Sequence, residues 1–300
     1  DDNDNDNLCC AGTITDIASQ QESLSTLVAA LQATGLDAAL TGDGPFTVLA
    51  PNNDAFDAFL ASINATSLDD IPLDLLTNVL LNHVIIGDLE SSSLSNGYAN
   101  TQAVSDASNT NMSIYINTEN GVTFNGVSNV ITSDVTATNG VVHVVDAVIG
   151  LPSIVTFALA DPNFEILVQA LTRDDLTMDF IGLLNSSTSP PTPLTVFAPV
   201  NNAFVNLLDE LGLSGLNDIE EPTLSAVLSY HVVVGINQGS VTLSGGSEFT
   251  TAQGGSLLFN INDNGAGILT DNNGRTSNIV AVDVQANNGI IHAIDTVVLP

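Results

Sequence analysis

Thr47-Val48-Leu49-Ala50-Pro51-Asn52-Asn53-Asp54-Ala55-Phe56 returns 148 positions later as Thr195-Val196-Phe197-Ala198-Pro199-Val200-Asn201-Asn202-Ala203-Phe204. Each begins as a short β-branched and apolar run that proline stops, which reads as a strand. In the first copy Asn52 or Asn53 then caps a helix that carries Phe56, Phe59 and Leu60. A segment of this length recurring at a fixed spacing marks an internal repeat, so the chain is two copies of one domain.

The flanking sequence repeats as well. Leu80-Leu81-Asn82-His83-Val84 returns at the same spacing as Leu228-Ser229-Tyr230-His231-Val232. Asn139-Gly140-Val141-Val142-His143-Val144-Val145-Asp146 returns 149 positions on as Asn288-Gly289-Ile290-Ile291-His292-Ala293-Ile294-Asp295. Leu24, Leu27, Val28 and Leu31 correspond to Phe164, Leu167, Val168 and Leu171 at a spacing of 140, so the second copy gains eight residues before Thr195. The Ser/Thr/Pro-rich stretch Ser186 to Pro193 is expected to hold them as a surface loop. The reading divides the chain into an acidic N-terminal tether at 1–10, a first domain at 11–152 and a second at 153–300, with almost no linker at Pro152.

Within a copy the hydrophobic period changes. Leu24, Leu27, Val28 and Leu31 fall on one helix face, with Ser19 and Glu22 as a capping box upstream. In the second copy Asp161-Pro162 serves as the helix start. Leu75, Leu76, Val79 and Leu80 form another helical stripe. Beyond it Ser113–Asn117 and Gly121–Phe124 flank Thr118-Glu119-Asn120 as a hairpin, and Leu257–Ile261 and Gly267–Leu269 repeat the pattern. Asn129–Ile131 and Val141–Val145 add strands. Each copy therefore runs helices first, then a β-rich half, an α+β order.

Composition narrows the partners. The 300 residues are 44% hydrophobic, enough for packed cores, yet they include 34 Asp and Glu against two Arg and no Lys, a net charge of −32. A chain without clustered cations has no means of binding nucleic acid or anionic lipid directly. Basic proteins, cations and neutral glycans remain as partners. Self-repulsion at this charge predicts a saline setting and a halotolerant fold. Cys9 and Cys10 are the only cysteines, so the chain is no disulfide scaffold. No apolar run reaches the roughly 18 residues of a membrane helix. The opening Asp1-Asp2-Asn3-Asp4-Asn5-Asp6-Asn7 reads as a solvated tether, as in an exported protein whose leader has been removed.

The three boxes, in order and twice over, resemble the fasciclin (FAS1) domain. Its T-V-F-A-P-x-N-x-A-F box matches Thr47–Phe56 and Thr195–Phe204, and its final N-G-x-[IV]-H-x-[IV]-D box matches Asn139–Asp146 and Asn288–Asp295. Its Tyr-His box is met by Tyr230-His231, whereas the first copy departs from it with Asn82-His83. The resemblance implies two consecutive FAS1-like domains, each a β-sandwich or wedge with a layer of helices. It implies a secreted or surface-anchored, non-catalytic adhesion module for cell–cell, cell–matrix or biofilm and symbiotic contact, extracellular or on the outer cell surface, with lipid anchoring before processing as one route. It also implies a partner among cell-surface or matrix proteins or polysaccharides. In some animal members an Asp followed by an apolar residue just before the final box supports integrin binding, and the Tyr-His box is implicated there. The positions carried over are Asp134-Val135 and Asp283-Val284, with Asn82, His83, Tyr230 and His231.

Catalytic readings fare worse. Nucleophile-elbow, Walker, Rossmann and H-E-x-x-H patterns are absent. All four histidines lie inside boxes and among Val, Ile or Leu, which predicts buried imidazoles bonded to backbone or to a carboxylate such as Asp146 or Asp295. The odd separation of His143 and Asp146 puts them on opposite strand faces, so a partner from another strand is expected. No cofactor is expected. Asp1–Asn7, Asn262–Gly265 and Asp271–Gly274 supply oxygens without EF-hand spacing, which leaves only weak calcium binding open. Asn64, Asn111 and Asn185 open Asn-x-Ser/Thr sequons. The alternative function is a surface protein that binds a small ligand or glycan, favoured by an apolar pocket in one copy only.

Overall fold

The structure is a computed structural model that describes residues 12–185 and 193–300. The tether and all but Pro193 of the Ser186–Pro193 loop lie outside the described residues, as do Cys9 and Cys10. Two compact units result: described residues up to Ala103 with Ile116–Gly150, and Val104–Tyr115 with Leu151–Pro300.

The first copy runs α1 (Ile14–Gln20), α2 (Ser25–Thr34), α3 (Leu36–Ala39), β1 (Phe46–Pro51), α4 (Asn53–Ser62), α5 (Leu73–Leu81) and β2 (Val84–Ile86). Strands β3 (Gly97–Val104), β4 (Asn111–Asn117), β5 (Thr123–Phe124), β6 (Ser128–Ala137) and β7 (Gly140–Val145) follow. The second copy repeats this as α6 (Ile154–Ala160), α7 (Glu165–Leu171), α8 (Phe180–Leu184), β8 (Leu194–Pro199), α9 (Asn201–Leu211), α10 (Glu221–Tyr230) and β9 (Val232–Val234). Its last strands are β10 (Ser247–Thr250), β11 (Ser256–Ile261), β12 (Gly267–Thr270), β13 (Thr276–Ala286) and β14 (Gly289–Ile294).

The first and last boxes of each copy are neighbours in space. β1 lies parallel to β7 from Phe46↔Gly140 to Pro51↔Val145, and β8 lies parallel to β14 from Leu194↔Gly289 to Ile294↔Pro199. Both β7 and β14 are buried at every position, as parallel strands covered on both faces should be, and their sequences are accordingly near-continuous apolar runs. One face packs Val48, Ala50, Val142 and Val144 against Leu24, Leu27, Leu31, Phe56, Leu76 and Leu80 of the helical layer. The opposite face of the second copy buries Phe197, Tyr230, Phe249, Leu257, Phe259 and Leu269 together.

The copies differ at one seam. In the first, β2 pairs with β3 through Ile85↔Thr101 and the seven strands close as a barrel. In the second, the sheet runs β10-β11-β12-β13-β14-β8-β9 and stays open, with one backbone bond from Ala252 N–H to the Val232 carbonyl at 2.7 Å.

Two local expectations are corrected. Ser19 and Glu22 do not cap α2. Thr13 and Asp16 instead form a capping box on α1, and the α2 amides find a distant acceptor, Asn53 Oδ1, which takes Thr26 N–H at 3.0 Å. The second copy repeats this with Asn201 Oδ1 and Ile166 N–H at 2.9 Å. The box asparagine is thus a long-range helix cap, while Asn52 caps its own helix α4 through Ala55 N–H. In the α5 stripe, Leu76, Val79 and Leu80 are buried but Leu75 faces out.

Candidate functional site

The histidines form two kinds of brace. His83 and His231 end α5 and α10. Each ring donates from Nδ1 to the carbonyl one turn back, Val79 at 2.8 Å and Val227 at 2.7 Å. Each Nε2 then accepts a backbone N–H from the tail after the final strand, Ile149 at 2.9 Å and Val298 at 3.3 Å. This arrangement uses the neutral ring fully, and burial pushes both imidazoles down to about 4.

His143 and His292 use the other tautomer. Nε2 donates to the Leu89 and Gln238 carbonyls, both at 2.8 Å. Nδ1 accepts the N–H of Asp134 at 3.2 Å and of Asp283 at 3.4 Å. The partner comes from a neighbouring strand and a loop, as the odd spacing to Asp146 demands. Asp146 and Asp295 instead bind Asn129 and Asn278.

Asp134 and Asp283 sit in bulges, where the β6–β7 and β13–β14 registers slip, and both have φ of +59°. Asp is among the few residues that tolerate this left-handed geometry. The inverted backbone turns each carboxylate onto the loop after the short strand. Asp134 accepts Ser91 N–H at 2.7 Å and the Ser91 hydroxyl; Asp283 accepts Ser240 N–H at 2.7 Å and the Ser240 hydroxyl. The Ser91 hydroxyl and amide hold the Asp134 carboxyl below the usual carboxylate range. Thr47 and Thr195 pin the same loops, each donating to one carbonyl and accepting one amide. The bulge Asp and the box His and Thr thus converge on one loop in each copy.

Of the carried-over positions, Asn82, His83, Tyr230, His231 and Val284 are buried, Val135 and Asp283 are half-buried and Asp134 is exposed. The Asp-Val pair and the Tyr-His box form separate hydrogen-bonded sets in each copy. Asn82 donates to the Ile149 and Gly150 carbonyls and accepts the Thr101 hydroxyl, which ties β3 to the closing seam. Tyr230 in its place sends its hydroxyl to the Ser256 carbonyl and takes Asn272 N–H at 3.3 Å. A ring that reaches past the seam fits the open sheet of the second copy.

The bulge surface also carries residues the sequence reading passed over. Beside the Asp283–Ser240 pair, Val241 is 94% exposed, and Val280 and Val282 on β13 are 55% and 50% exposed. The first copy has Ser92, Ile131 and Ser133 at the matching positions. Val280 and Val282 signal only strand and Val241 sits in a turn, so nothing local marks these side chains as exposed.

Other features are modest. Among the described residues no three His, Cys, Asp or Glu side chains gather as metal ligands, and no single helix is long and apolar enough to cross a membrane. In the two acidic turns, Asn262 Oδ1 accepts Asn264 and Ala266 N–H, and Asp271 accepts the amides of Asn273, Arg275 and Leu299. An apolar cavity of about 20 Å³ under α6 and α7, lined by Phe164, Leu167, Phe197 and His231, is water-sized. A polar recess of about 520 Å³ in the first unit is lined by Thr13, Thr41, Asp43, Asp88 and Thr138.

Both cations are spent locally. Arg173 pairs with Asp175 at 2.6 Å and donates to the Leu216 and Ile219 carbonyls, and Arg275 pairs with Glu210. Most of the 34 carboxylates therefore have no arginine to pair with. Raising NaCl from 0.01 M to 1 M shortens the screening length from roughly 30 Å to about 3 Å. The thermal midpoint is expected to rise over that range; a flat midpoint removes repulsion as a determinant of stability.

The fasciclin domain model matches residues 22–152 and 162–300. Protein sll1483 of Synechocystis is 37% identical over 139 residues, 46% of this chain and 73% of its own length. Periostin of Homo sapiens is 30% identical over 266 residues, which cover 87% of this chain and 29% of periostin. The FAS1 domain pair from the insect cell adhesion molecule fasciclin I superimposes with a TM-score of 0.53 at 21% identity, covering 93% of this chain and 97% of that one. At that identity the likeness is one of fold.

Proposed function

Since this chain belongs to the fasciclin family, we propose that it is a secreted or surface-anchored adhesion module that mediates cell–cell, cell–matrix or biofilm and symbiotic contact without catalysing a reaction. One observation carries the non-catalytic part: all four imidazoles are engaged with backbone groups. A histidine held this way positions loops and has no lone pair to offer a substrate. Partner contact then belongs to the loops the braces hold. With 34 carboxylates and two paired arginines, the surface suits a basic patch on a cell-surface or matrix protein, or a neutral polysaccharide. The exposed valines beside Asp283 make the second copy the better candidate contact.

The test is binding of the whole chain, immobilised and displayed on cells, to cells, matrix proteins and polysaccharides across salt and calcium concentrations. Saturable binding that weakens in the double variant Val241→Asp, Val282→Asp is the expected result. No binding under any condition rejects the adhesion reading, and binding indifferent to the double variant rejects the valine surface.

A second reading, a glycan site in the first unit, rests on this polar recess rather than on the apolar pocket expected of a small-ligand site. Its volume of about 520 Å³ falls within the range of ligand pockets, whereas the second unit holds a cavity of about 20 Å³ and an open recess of about 270 Å³ lined by Leu159, Pro162 and Val168. A neutral sugar whose binding is lost in Asp88→Asn supports it.

A further inference from the structure

The chain contains seven Asn-Gly pairs, at Asn96, Asn120, Asn125, Asn139, Asn264, Asn273 and Asn288. This dipeptide is chemically labile, because glycine places no side chain in the way when its backbone nitrogen attacks the preceding carboxamide. The fold treats the pairs very differently.

Five are restrained. Asn139 accepts Ile14 N–H at 2.9 Å and donates to the Leu40 and Gly42 carbonyls, so its carboxamide fastens the start of α1 to the sheet. Asn288 repeats this with Ile154 N–H and the Leu184 carbonyl. Asn125 is 3% exposed. Asn96 accepts the Thr118 amide and hydroxyl, and Asn273 donates to the Pro300 carbonyl. Asn120 and Asn264 stand apart. They occupy the matching tips of the β4–β5 and β11–β12 hairpins, both are exposed, and their carboxamides make no hydrogen bond within the described residues. The glycines that follow have φ of +94° and +80°, open turn geometry without a neighbouring atom within 4 Å of a Cβ position.

We propose that Asn120 and Asn264 are sites of spontaneous covalent modification, one in each copy, at which the fold leaves the carboxamide free to cyclise. The nitrogen of Gly121 or Gly265 bonds to the Asn Cγ and the bond from Cγ to the side-chain nitrogen breaks. That nitrogen leaves as ammonia, taking the proton lost by the glycine amide, and a five-membered imide remains. Water then adds to either imide carbonyl. One opening yields Asp; the other yields isoaspartate, which carries the chain through the former side chain and inserts a methylene into the hairpin tip. Gly265 must first release its bond to the Asn262 carbonyl, and Gly121 must leave the backbone bridge it forms with Glu119. Each event adds a carboxylate beside Glu119 or Asp263, on a surface already at −32.

The test is ageing of the whole folded chain in mildly alkaline buffer, followed by chymotryptic mapping with mass spectrometry, since trypsin finds only Arg173 and Arg275. Asp and isoaspartate are expected at 120 and 264 at least about tenfold faster than at 139 and 288, the ratio given by a barrier difference of about 1.4 kcal/mol. In a guanidinium-unfolded sample the sites should converge in rate. Asn120→Gln, which needs a slower six-membered ring, should silence its site and leave Asn264 unchanged. Equal rates at all seven sites in the folded chain, an intact Asn120 and Asn264, or a ranking that survives unfolding each overturn the proposal.

Discussion

Alanine at Gly140 is expected to leave the first unit unfolded. Gly140 opens β7 opposite Phe46, with φ of +148°, in backbone space that side-chained residues rarely enter. A Cβ there would lie 1.9 Å from the Phe46 carbonyl oxygen and 2.7 Å from its nitrogen. Those atoms belong to the neighbouring parallel strand, so no side-chain rotation relieves the clash. β1 would have to withdraw, which breaks the Phe46 N–H bond to the Asn139 carbonyl and disturbs the register that aligns Leu49 with His143. The cost falls in the tail above about 4 kcal/mol that single substitutions seldom reach. Total stabilities run from about 5 to 15 kcal/mol, so a unit near the lower end of that range would keep almost none.

Gly87→Ala supplies the control. Its φ is +119°, but nothing lies within 4 Å of its Cβ position. It carries the backbone penalty alone, on the order of 1–3 kcal/mol. Chemical denaturation of both variants separates strand approach from backbone strain; equal losses would refute the approach argument. Gly289→Ala should be intermediate, because its Cβ meets the Leu194 carbonyl at 2.4 Å and the Leu194 Cβ at 3.0 Å, while its third near contact is the movable Ile154 Cδ1.

The same strand pair marks how far sequence reasoning reaches. A proline-stopped apolar run, a hairpin at Thr118–Asn120 and a helical stripe at Leu24–Leu31 are local signals, and each matches an element. The histidines were legible as interior groups because apolar neighbours surround them. What escaped depends on residues far apart in the chain. Asn53 caps a helix that begins 28 residues earlier, and no capping pattern records such a bond. The Asn82 and Tyr230 difference is visible in sequence, but its link to a closed or open sheet depends on Thr101 and Ser256, which only the fold brings near. Asp134 and Asp283 read as partner-binding positions carried over from the resemblance; the turn of each onto a serine follows from a bulge that period-two patterning cannot express.

Acid should act on both copies through His83 and His231. Each folded ring is held down to about 4 against an ordinary value of 6.5, because burial disfavours the cation. A second proton would also face Nε2 against the Ile149 or Val298 N–H that it now accepts. With the folded value depressed, the unfolded chain takes up the proton first as pH falls. The stabilisation is therefore whole above pH 6.5, erodes between 6.5 and 4, and levels off below 4. At about 1.4 kcal/mol for each pH unit, each of these two rings should cost its unit about 2 kcal/mol by pH 5 and about 3 kcal/mol by pH 4, and His292, also held down by burial, adds to the loss in the second unit. Falling pH also relieves repulsion among the carboxylates, which works in the opposite direction. Denaturation at a fixed high salt concentration screens that contribution and isolates the histidines. Asp134, whose value is lowered by Ser91, adds a further loss only below the ordinary carboxylate value of 3.8, outside this window. A denaturation midpoint that stays level from pH 7 to pH 5 in high salt would mean that the folded rings take up protons as readily as the unfolded ones, and that neither burial nor the bond accepted at Nε2 holds them neutral.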